Sequence, residues 1–228
     1  MEETRHVKRN GWLAILIVSA VLLIDQAIKL SVKTDMALHE SRQVTTWFYI
    51  TFIENNGMAY GMQFMPKYLL TLFRMVAIAV IGYYLYGQIR KGAKLGYVVT
   101  LCLVLAGAAG NLIDCLFYGL VFEESTPWHV AAFTAFGQGY APFMLGRVVD
   151  MFYFPLIVTT YPDWVPVWGG EPFIFFGPVF NFADACISVS VVVLLLFFRK
   201  ELSQISFSPT AKAGEMNPDK EADEPQNP

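Results

Sequence analysis

The sequence has little charge and few of the side chains that bind metals. Only 15% of its 228 residues are charged, and it contains three cysteines and three histidines. The cysteines, at positions 102, 115 and 186, lie in or beside apolar runs and lack the close pairwise spacing of metal sites or disulfide frameworks. We therefore interpret them as small buried apolar side chains, and we predict no metal site and no cofactor.

The charge balance also excludes one class of partner. The formal net charge at neutral pH is −3, so nothing indicates a basic surface for nucleic acid. Instead, 55% of the residues are hydrophobic and the mean hydropathy is +0.46. Long apolar runs with a positive mean hydropathy are typical of membrane proteins.

Four apolar runs predict an all-α membrane protein with four transmembrane helices and small β-rich and irregular loops outside the membrane. They cover about residues 12–32, 68–87, 95–116 and 183–198. No small-residue cleavage site follows the first run, so we interpret it as a retained helix. Residues 1–200 would form this four-helix domain, and residues 201–228, rich in Pro, Lys and acidic side chains, a disordered tail.

The distribution of basic residues orients the predicted helices. Lysine and arginine cluster at 5–9, 90–94 and 199–200. They are sparse in the two long loops, which lie between the first and second apolar runs and between the third and fourth. By the positive-inside rule, both termini are then cytoplasmic and the two long loops face outward. In the first of these loops, β-forming residues at 46–53 predict short strands on the membrane surface.

Polar side chains in and beside the four runs are predicted to meet near the outer membrane face. The alternating directions of the helices bring seven of them to a similar depth: Asp25, Lys29, Asn111, Asp114, Asp150, Asn181 and Asp184. A charged group at membrane depth costs at least about 2–3 kcal/mol, so such groups normally face a common interior. A shared polar site is favoured over scattered loop carboxylates.

Two of these carboxylates suggest chemistry. Asp150 and Asp184 both have apolar and aromatic neighbours, and a close pair of this kind is the catalytic group of aspartyl proteases. The alternative is that Asp184 simply caps the N-terminus of the last helix.

The remaining charged residues are predicted to support the bundle. Asp25 and Lys29 lie four residues apart on one helical face and can pair locally. Asp114 would pair with Arg147 or Arg74, and Arg74 could instead extend outward to the membrane surface.

Five motifs in order resemble those of lipoprotein signal peptidase, also called signal peptidase II, over about residues 12–199. They are Asp25–Lys29, Asn55–Gly61, Gly107–Asp114, Val148–Phe152 and Phe180–Asp184. The resemblance implies an integral aspartyl endopeptidase of the bacterial cytoplasmic (inner) membrane. Its partners would be membrane lipid and prolipoproteins, from which it removes the signal peptide just before a diacylglyceryl-modified cysteine.

The resemblance also implies roles for single residues. Asp150 and Asp184 match the catalytic pair, and Asp25 and Lys29 match positions that support the fold. The positions matching substrate and inhibitor contacts are Asn55, Gly57, Asn111, Asn181 and Ala183.

Two departures from the family pattern stand out. The family usually has an arginine where this chain has Cys115, so a supporting cation would have to come from Arg147 or Arg74. The segments 119–145 and 156–178 are also longer than usual and contain Trp128, Trp164 and Trp168, expected at headgroup depth. These segments could form a lid, a partner site or plain surface structure.

A small transporter or proton-coupled carrier is the alternative function. Intramembrane Asp, Lys and Asn side chains also line ion pathways. Against it, the predicted polar layer lies at one face of the membrane, and no inverted repeat is visible in the sequence. A non-catalytic scaffold is a third possibility.

The predicted orientation can be tested directly. A reporter fused at Ala211 should lie in the cytoplasm, and a cysteine placed near Gly137 should react with a membrane-impermeant reagent added from outside. Labelling of the C-terminal fusion from outside would place the polar layer at the wrong face.

Overall fold

The computed structural model of the protein describes residues 2–57 and 65–203, and side chains only from Val7 onward in the first helix. This part of the chain is mostly helical, with two small sheets. The helices are α1 (Glu2–Asp35), α2 (Lys67–Arg90), α3 (Leu95–Ile113), α4 (Gly119–Val121), α5 (Phe182–Phe197) and α6 (Arg199–Ser203), with a π-helical turn at Asp114–Tyr118. The strands are β1 (Ser41–Thr45), β2 (Phe48–Asn55), β3 (Val148–Tyr153), β4 (Ile157–Thr160) and β5 (Pro172–Phe175).

Among the described residues, three helices are long and apolar enough to cross a membrane. They occupy Val7–Asp35, Lys67–Arg90 and Leu95–Val121, so the first three predicted spans are confirmed as helices, each somewhat longer than predicted. The fourth predicted span forms the apolar helix α5, but its 16 residues cover only about 24 Å at about 1.5 Å per residue. A hydrocarbon core is about 30 Å thick, so α5 alone does not establish a fourth crossing.

Two predictions fall on other parts of the chain. Residues 58–61 of the second motif and residues 204–228 of the predicted tail lie outside the described residues.

Small residues bring α3 and α5 close together. A Cβ atom added to Gly107 would lie 2.5 Å from the carbonyl oxygen of Ala183 and 2.7 Å from Cγ1 of Ile187. On the same face of α3, a Cβ added to Gly110 would lie 2.6 Å from Oδ2 of Asp25 on α1. Glycine is therefore required at both positions for three helices to meet, as small residues permit in membrane bundles.

Two apolar clusters lie on either side of this contact. One joins Ala14 of α1 with Leu85, Tyr97, Leu101 and Leu194 from the other long helices. The second joins the C-terminal end of α1 with the first sheet and with the π-helical turn and α4 that follow α3. It comprises Val32, Met36, Phe52, Tyr118, Phe122, Val149 and Met151. The polar residues of α1, Asp25 and Lys29, lie between the two clusters along the helix.

The first sheet confirms strand structure in the predicted segment 46–53, where β2 begins at Phe48, and it places Asp150. The strands β1 and β3 were not predicted. The sheet order is β1-β2-β3, and both pairs are antiparallel. Asp150, expected in a loop, lies in β3 opposite Ile53, while Asn55 lies opposite Val148. Asp150 and Asn55 are thus diagonal neighbours across the two strands, within side-chain reach.

The close packing at Gly107 makes a testable prediction. Gly107→Ala should lower the thermal midpoint of the detergent-solubilised protein, because the new methyl group overlaps the backbone of α5. The matched control is Gly87→Ala in α2, where an added Cβ meets nothing within 4 Å. This control should be neutral or stabilising by up to about 1 kcal/mol. Equal effects of the two substitutions would contradict the described helix contact.

Candidate active site

Three of the seven polar residues predicted to meet, Asn111, Asp150 and Asp184, line a cavity between the first sheet and the helices. The cavity has a volume of about 260 Å³. Its lining consists of Asn55, Gly57, Arg74, Asn111, Val148, Asp150, Asp184, Ile187 and Ser188. Both carboxylates singled out in the sequence therefore face the same space.

Asp150 is nearly buried and held by two amides. Its side chain is 3% exposed; Oδ2 accepts a hydrogen bond from Nδ2 of Asn55 at 3.1 Å, and Oδ1 accepts one from Nδ2 of Asn181 at 2.6 Å. Burial raises the pKa of Asp150 to about 7, and repulsion from Asp184 acts in the same direction. The two amide donors oppose this shift but do not cancel it.

Asp184 lies in the first turn of α5, but it does not cap the helix. The N-cap is Asn181, whose Oδ1 accepts the backbone N–H of Asp184 at 2.9 Å. The proposed capping role of Asp184 is therefore wrong, since its own carboxylate points elsewhere. Oδ1 of Asp184 accepts a hydrogen bond from Nδ2 of Asn111 at 2.7 Å.

Two asparagines link the carboxylates. Nδ2 of Asn181 donates to Asp150 and also lies 3.1 Å from Oδ1 of Asn111, whose own Nδ2 donates to Asp184. The orientation of the Asn111 amide follows from charge. Its oxygen accepts from the ammonium group of Lys29 at 2.8 Å, so its nitrogen must face Asp184.

Lys29 is the buried cation that contacts the oxygen of Asn111. Its side chain is fully buried, and its Nζ lies 3.0 Å from Oδ2 of Asp25 and 2.8 Å from Oδ2 of Asp114. The predicted Asp25–Lys29 pair thus forms. The predicted pairing of Asp114 with Arg147 or Arg74 is wrong, because Asp114 faces inward toward α1.

Gln26 completes the buried cluster and was not singled out from the sequence. Its Nε2 donates to Oδ1 of Asp114 at 3.0 Å and lies 3.1 Å from Oδ2 of Asp25. Its Oε1 accepts from the hydroxyl of Tyr118 at 3.1 Å. Local sequence gives no signal for these contacts, since two of the partners are about 90 residues away along the chain.

Ala183 lies behind the cavity and does not line it. The residue is fully buried, and its backbone N–H donates to Oδ1 of Asp25 at 3.0 Å. Asp25 therefore ties α1 to the start of α5, next to Asp184.

A second ionic network holds the end of β2. The fully buried Lys33, one helical turn after Lys29, pairs with Glu54 and donates to the hydroxyl of Ser125 at 2.9 Å. Glu54 immediately precedes Asn55. This network supports the strand that carries one of the two amides on Asp150.

Arg147 joins this second network and does not reach the cavity. Its guanidinium bonds Glu54 at 3.1 Å and Glu124 at 3.0 Å. The predicted supporting residue therefore braces the segment after α4 against β2.

Arg74 supplies the cation beside Cys115. Its Nη1 lies 3.2 Å from the Cys115 sulfur, and its Nη2 donates to the carbonyl oxygen of Gly57 at 2.5 Å. It pairs with no carboxylate among the described residues. Gly57 has φ of +91°, and an added Cβ would lie 2.8 Å from Nη1 of Arg74. Both the backbone and the guanidinium therefore favour glycine there.

The cysteines behave as predicted from their apolar surroundings. Cys102 and Cys115 are buried, Cys186 is half-buried, and all three are free thiols. Within the described ranges, no group of three or more His, Cys, Asp or Glu side chains is arranged to hold a metal ion.

Fold and site together define a class: an integral membrane protein with a carboxylate pair in a small cavity walled by helices and a sheet. A sequence profile of the family described as Signal peptidase (SPase) II matches residues 17–199. The chain belongs to this family.

Individual relatives agree with this assignment. The chain is 45% identical over 195 residues to a lipoprotein signal peptidase from Porphyromonas gingivalis, covering 85% of this chain and 86% of that protein. It is 33% identical over 190 residues to a lipoprotein signal peptidase from Amoebophilus asiaticus, covering 80% and 76%.

Solved structures support the fold. A bacterial membrane enzyme solved by the in meso method at 2.3 Å resolution superposes with a TM-score of 0.55 at 22% identity, covering 87% of this chain and 94% of that one. At this identity the similarity concerns the fold alone.

The contact of Arg74 with Gly57 makes a prediction about local order. Arg74→Ala should speed hydrogen exchange at the Gly57 amide by about tenfold or more, because a hydrogen bond from a charged donor contributes about 1.5–3 kcal/mol. The matched control is Arg90→Ala, since Arg90 is exposed and bonds only Tyr86 among the described residues. Unchanged exchange in Arg74→Ala would show that the guanidinium does not hold this segment.

The raised pKa of Asp150 makes a prediction about pH and stability. A carboxyl whose folded pKa is about 7, above its ordinary 3.8, stabilises the folded state at low pH and loses this effect as pH rises through about 7. Asp150→Asn should therefore gain stability relative to the unchanged protein between about pH 4 and pH 8, by on the order of a few kcal/mol.

The measurement is denaturant unfolding in detergent at both pH values, with Asp35→Asn as a control at an exposed carboxylate. A stability difference that does not change with pH would contradict the raised pKa.

Proposed function

We propose that this protein is a membrane endopeptidase that removes signal peptides from prolipoproteins. The observation that carries the proposal is the placement of Asp150 and Asp184 on one cavity, linked through the amides of Asn181 and Asn111. The proposal agrees with the family of the chain and with the names of its relatives from Porphyromonas gingivalis and Amoebophilus asiaticus.

The two carboxylates are proposed to share one proton, because two close carboxylates do not easily both ionise. The raised pKa of Asp150, about 7, favours the proton there. Asp184 lies in the first turn of α5, where the helix dipole favours a negative charge, and its Oδ1 accepts a hydrogen bond from Nδ2 of Asn111. This assigns the acid to Asp150 and the base to Asp184.

The reaction then follows from these protonation states. Asp184 takes a proton from a water molecule, and the water oxygen attacks the scissile carbonyl carbon. Asp150 donates a hydrogen bond to the carbonyl oxygen and stabilises the charge that develops there. Collapse of the tetrahedral intermediate breaks the C–N bond while Asp150 gives its proton to the leaving amine, which leaves a new carboxyl terminus and a free amino terminus. Asp184 keeps the proton that it took from water, so the pair again holds one shared proton. No metal or organic cofactor takes part.

Substrate binding is proposed to use the polar wall of the cavity. Asn55, Gly57 and Asn111 line it directly, whereas Asn181 and Ala183 would act from behind, by holding Asp150 and the start of α5. Because Arg74 also faces the cavity, the carbonyl groups of a bound peptide would meet a guanidinium. The diacylglyceryl group of the substrate cysteine would lie between the helices, at the depth of the outer leaflet.

The membrane arrangement belongs to the same proposal. Residues 1–200 would form a four-span domain in the bacterial cytoplasmic membrane, with both termini in the cytoplasm and the cavity facing the outer leaflet. The fourth crossing would consist of α5 with its flanking segments, because the helix alone is too short.

The direct test is substitution of each carboxylate by its nearly isosteric amide. Asp150→Asn and Asp184→Asn should each lower cleavage of a diacylglyceryl-modified precursor by at least about 100-fold, while the purified proteins keep their fold. The double variant should be little worse than either single one, because the two groups act as one unit.

The matched control is Asp25→Asn, which removes a carboxylate that contacts Lys29 and Ala183 but does not line the cavity. It should lower the folded yield, while the folded fraction keeps measurable activity. Near-normal cleavage by either Asp150→Asn or Asp184→Asn would refute the proposed dyad. Ion flux without cleavage in proteoliposomes would favour the carrier.

A further inference from the structure

The hairpin formed by β4 and β5 is apolar and exposed on both faces. It pairs Ile157 with Phe175 and Thr160 with Pro172, and most of its residues are exposed to solvent. Its large apolar side chains are among the most exposed of the described residues: Val158 at 67%, Trp164 at 80%, Val167 at 90% and Trp168 at 59%. A lone two-stranded hairpin is at best marginally stable in water, so this one requires a covering surface.

The composition of the hairpin indicates what kind of surface covers it. From Met151 to Phe180 the chain has no lysine or arginine, and its only charged residues are Asp163 and Glu171. Its tip has two tryptophans and a tyrosine, the side chains enriched where lipid headgroups meet acyl chains.

The length of α5 places the base of the hairpin near the lipid. The helix is about 6 Å shorter than the hydrocarbon core, and Arg199 and Lys200 at its C-terminal end favour the opposite interface. The part of the hydrocarbon core that α5 does not span therefore lies beyond its N-terminal end. There Phe180 precedes the N-cap residue, and the hairpin ends only five residues earlier, at Phe175.

An aromatic cluster fixes the hairpin base to the site. Phe154, just after β3, stacks on Phe48 at 4.7 Å and on Phe180 at 5.7 Å between ring centroids, and it contacts Phe176 at 6.3 Å. Backbone hydrogen bonds also join Phe152 and Phe180. The hairpin thus connects the strand of Asp150 with the helix of Asp184 through rigid contacts on both sides.

We propose that this hairpin, residues 156–176, is a membrane-anchoring arm that lies in the headgroup region of the outer leaflet. The free edges of a two-stranded hairpin need water or polar headgroups, so the backbone stays out of the hydrocarbon core. Trp164, Val167 and Trp168 reach toward the acyl chains, as apolar faces of interfacial segments do. Because the arm has two acidic residues and no basic ones, its binding depends on apolar burial and does not require anionic lipid.

The test measures depth and needs no catalysis, so it is independent of the proposed function. The full-length protein, with its three native cysteines replaced by alanine, is labelled with an environment-sensitive fluorophore at Val167→Cys and reconstituted in phosphatidylcholine vesicles. The matched control carries the label at Gln138→Cys, an exposed position in the segment after α4.

Lipids brominated near the headgroup end of their acyl chains should quench the label at 167 strongly, and lipids brominated at the chain ends should quench it weakly. The label at 138 should respond to neither lipid. Adding Trp164→Glu and Trp168→Glu should abolish quenching at 167, while the thermal midpoint stays unchanged.

Two results would overturn the proposal. One is quenching at 167 no stronger than at 138, with full access to a water-soluble quencher. The other is protection of the label from the water-soluble quencher that is lost when the protein is diluted in lipid. That result would mean that a second copy of the chain, and not lipid, covers the hairpin. Loss of cleavage with normal quenching would count against the proposed function and leave the arm intact.

Discussion

The arrangement depends on one buried lysine. Lys29 has no exposed surface and bonds Asp25, Asp114 and Asn111 at 2.8–3.0 Å. A single buried charge of this kind would cost several kcal/mol, and only the paired carboxylates and the amide oxygen make its burial possible. Because its partners come from α1, α3 and the turn after α3, the cluster fixes the spacing of these elements. Gly110 and Gly107 allow the helices to approach that closely.

The same lysine determines which end of the Asn111 amide faces Asp184. It holds the oxygen of Asn111, so the amide nitrogen faces Asp184, and Asp25 positions the start of α5 through the N–H of Ala183. Asp150 is held separately, by Asn181 and by Asn55 on the neighbouring strand. Two carboxylates therefore meet in different surroundings: one buried in a strand, the other at a helix N-terminus. In the proposed mechanism, this difference in surroundings would allow the two carboxylates to take different protonation states.

Much of the fold could be predicted from the sequence, and part of the site could not. Apolar length predicted the first three helices, and β-forming residues at 46–53 predicted the strand β2, because these signals are local. Residue types and motif order identified Asp150, Asp184, Asn111 and Asn181. The partners of Asp114 were predicted wrongly, since contacts across helices depend on packing that periodicity does not encode. The contacts of Gln26 were not predicted for the same reason, because two of its partners lie about 90 residues away along the chain. Arg74 was one of the two candidates for the cation beside Cys115, and it lies there.

The measurement that tests the account most directly is the pH dependence of kcat/KM for cleavage of a diacylglyceryl-modified precursor. A shared proton requires a bell-shaped profile, with an acidic limb from protonation of the pair and an alkaline limb from loss of its proton. The raised pKa of Asp150, about 7, places the alkaline limb at neutral to mildly alkaline pH. A profile with no alkaline limb up to about pH 9 would mean that no protonated carboxyl takes part, and it would contradict the dyad.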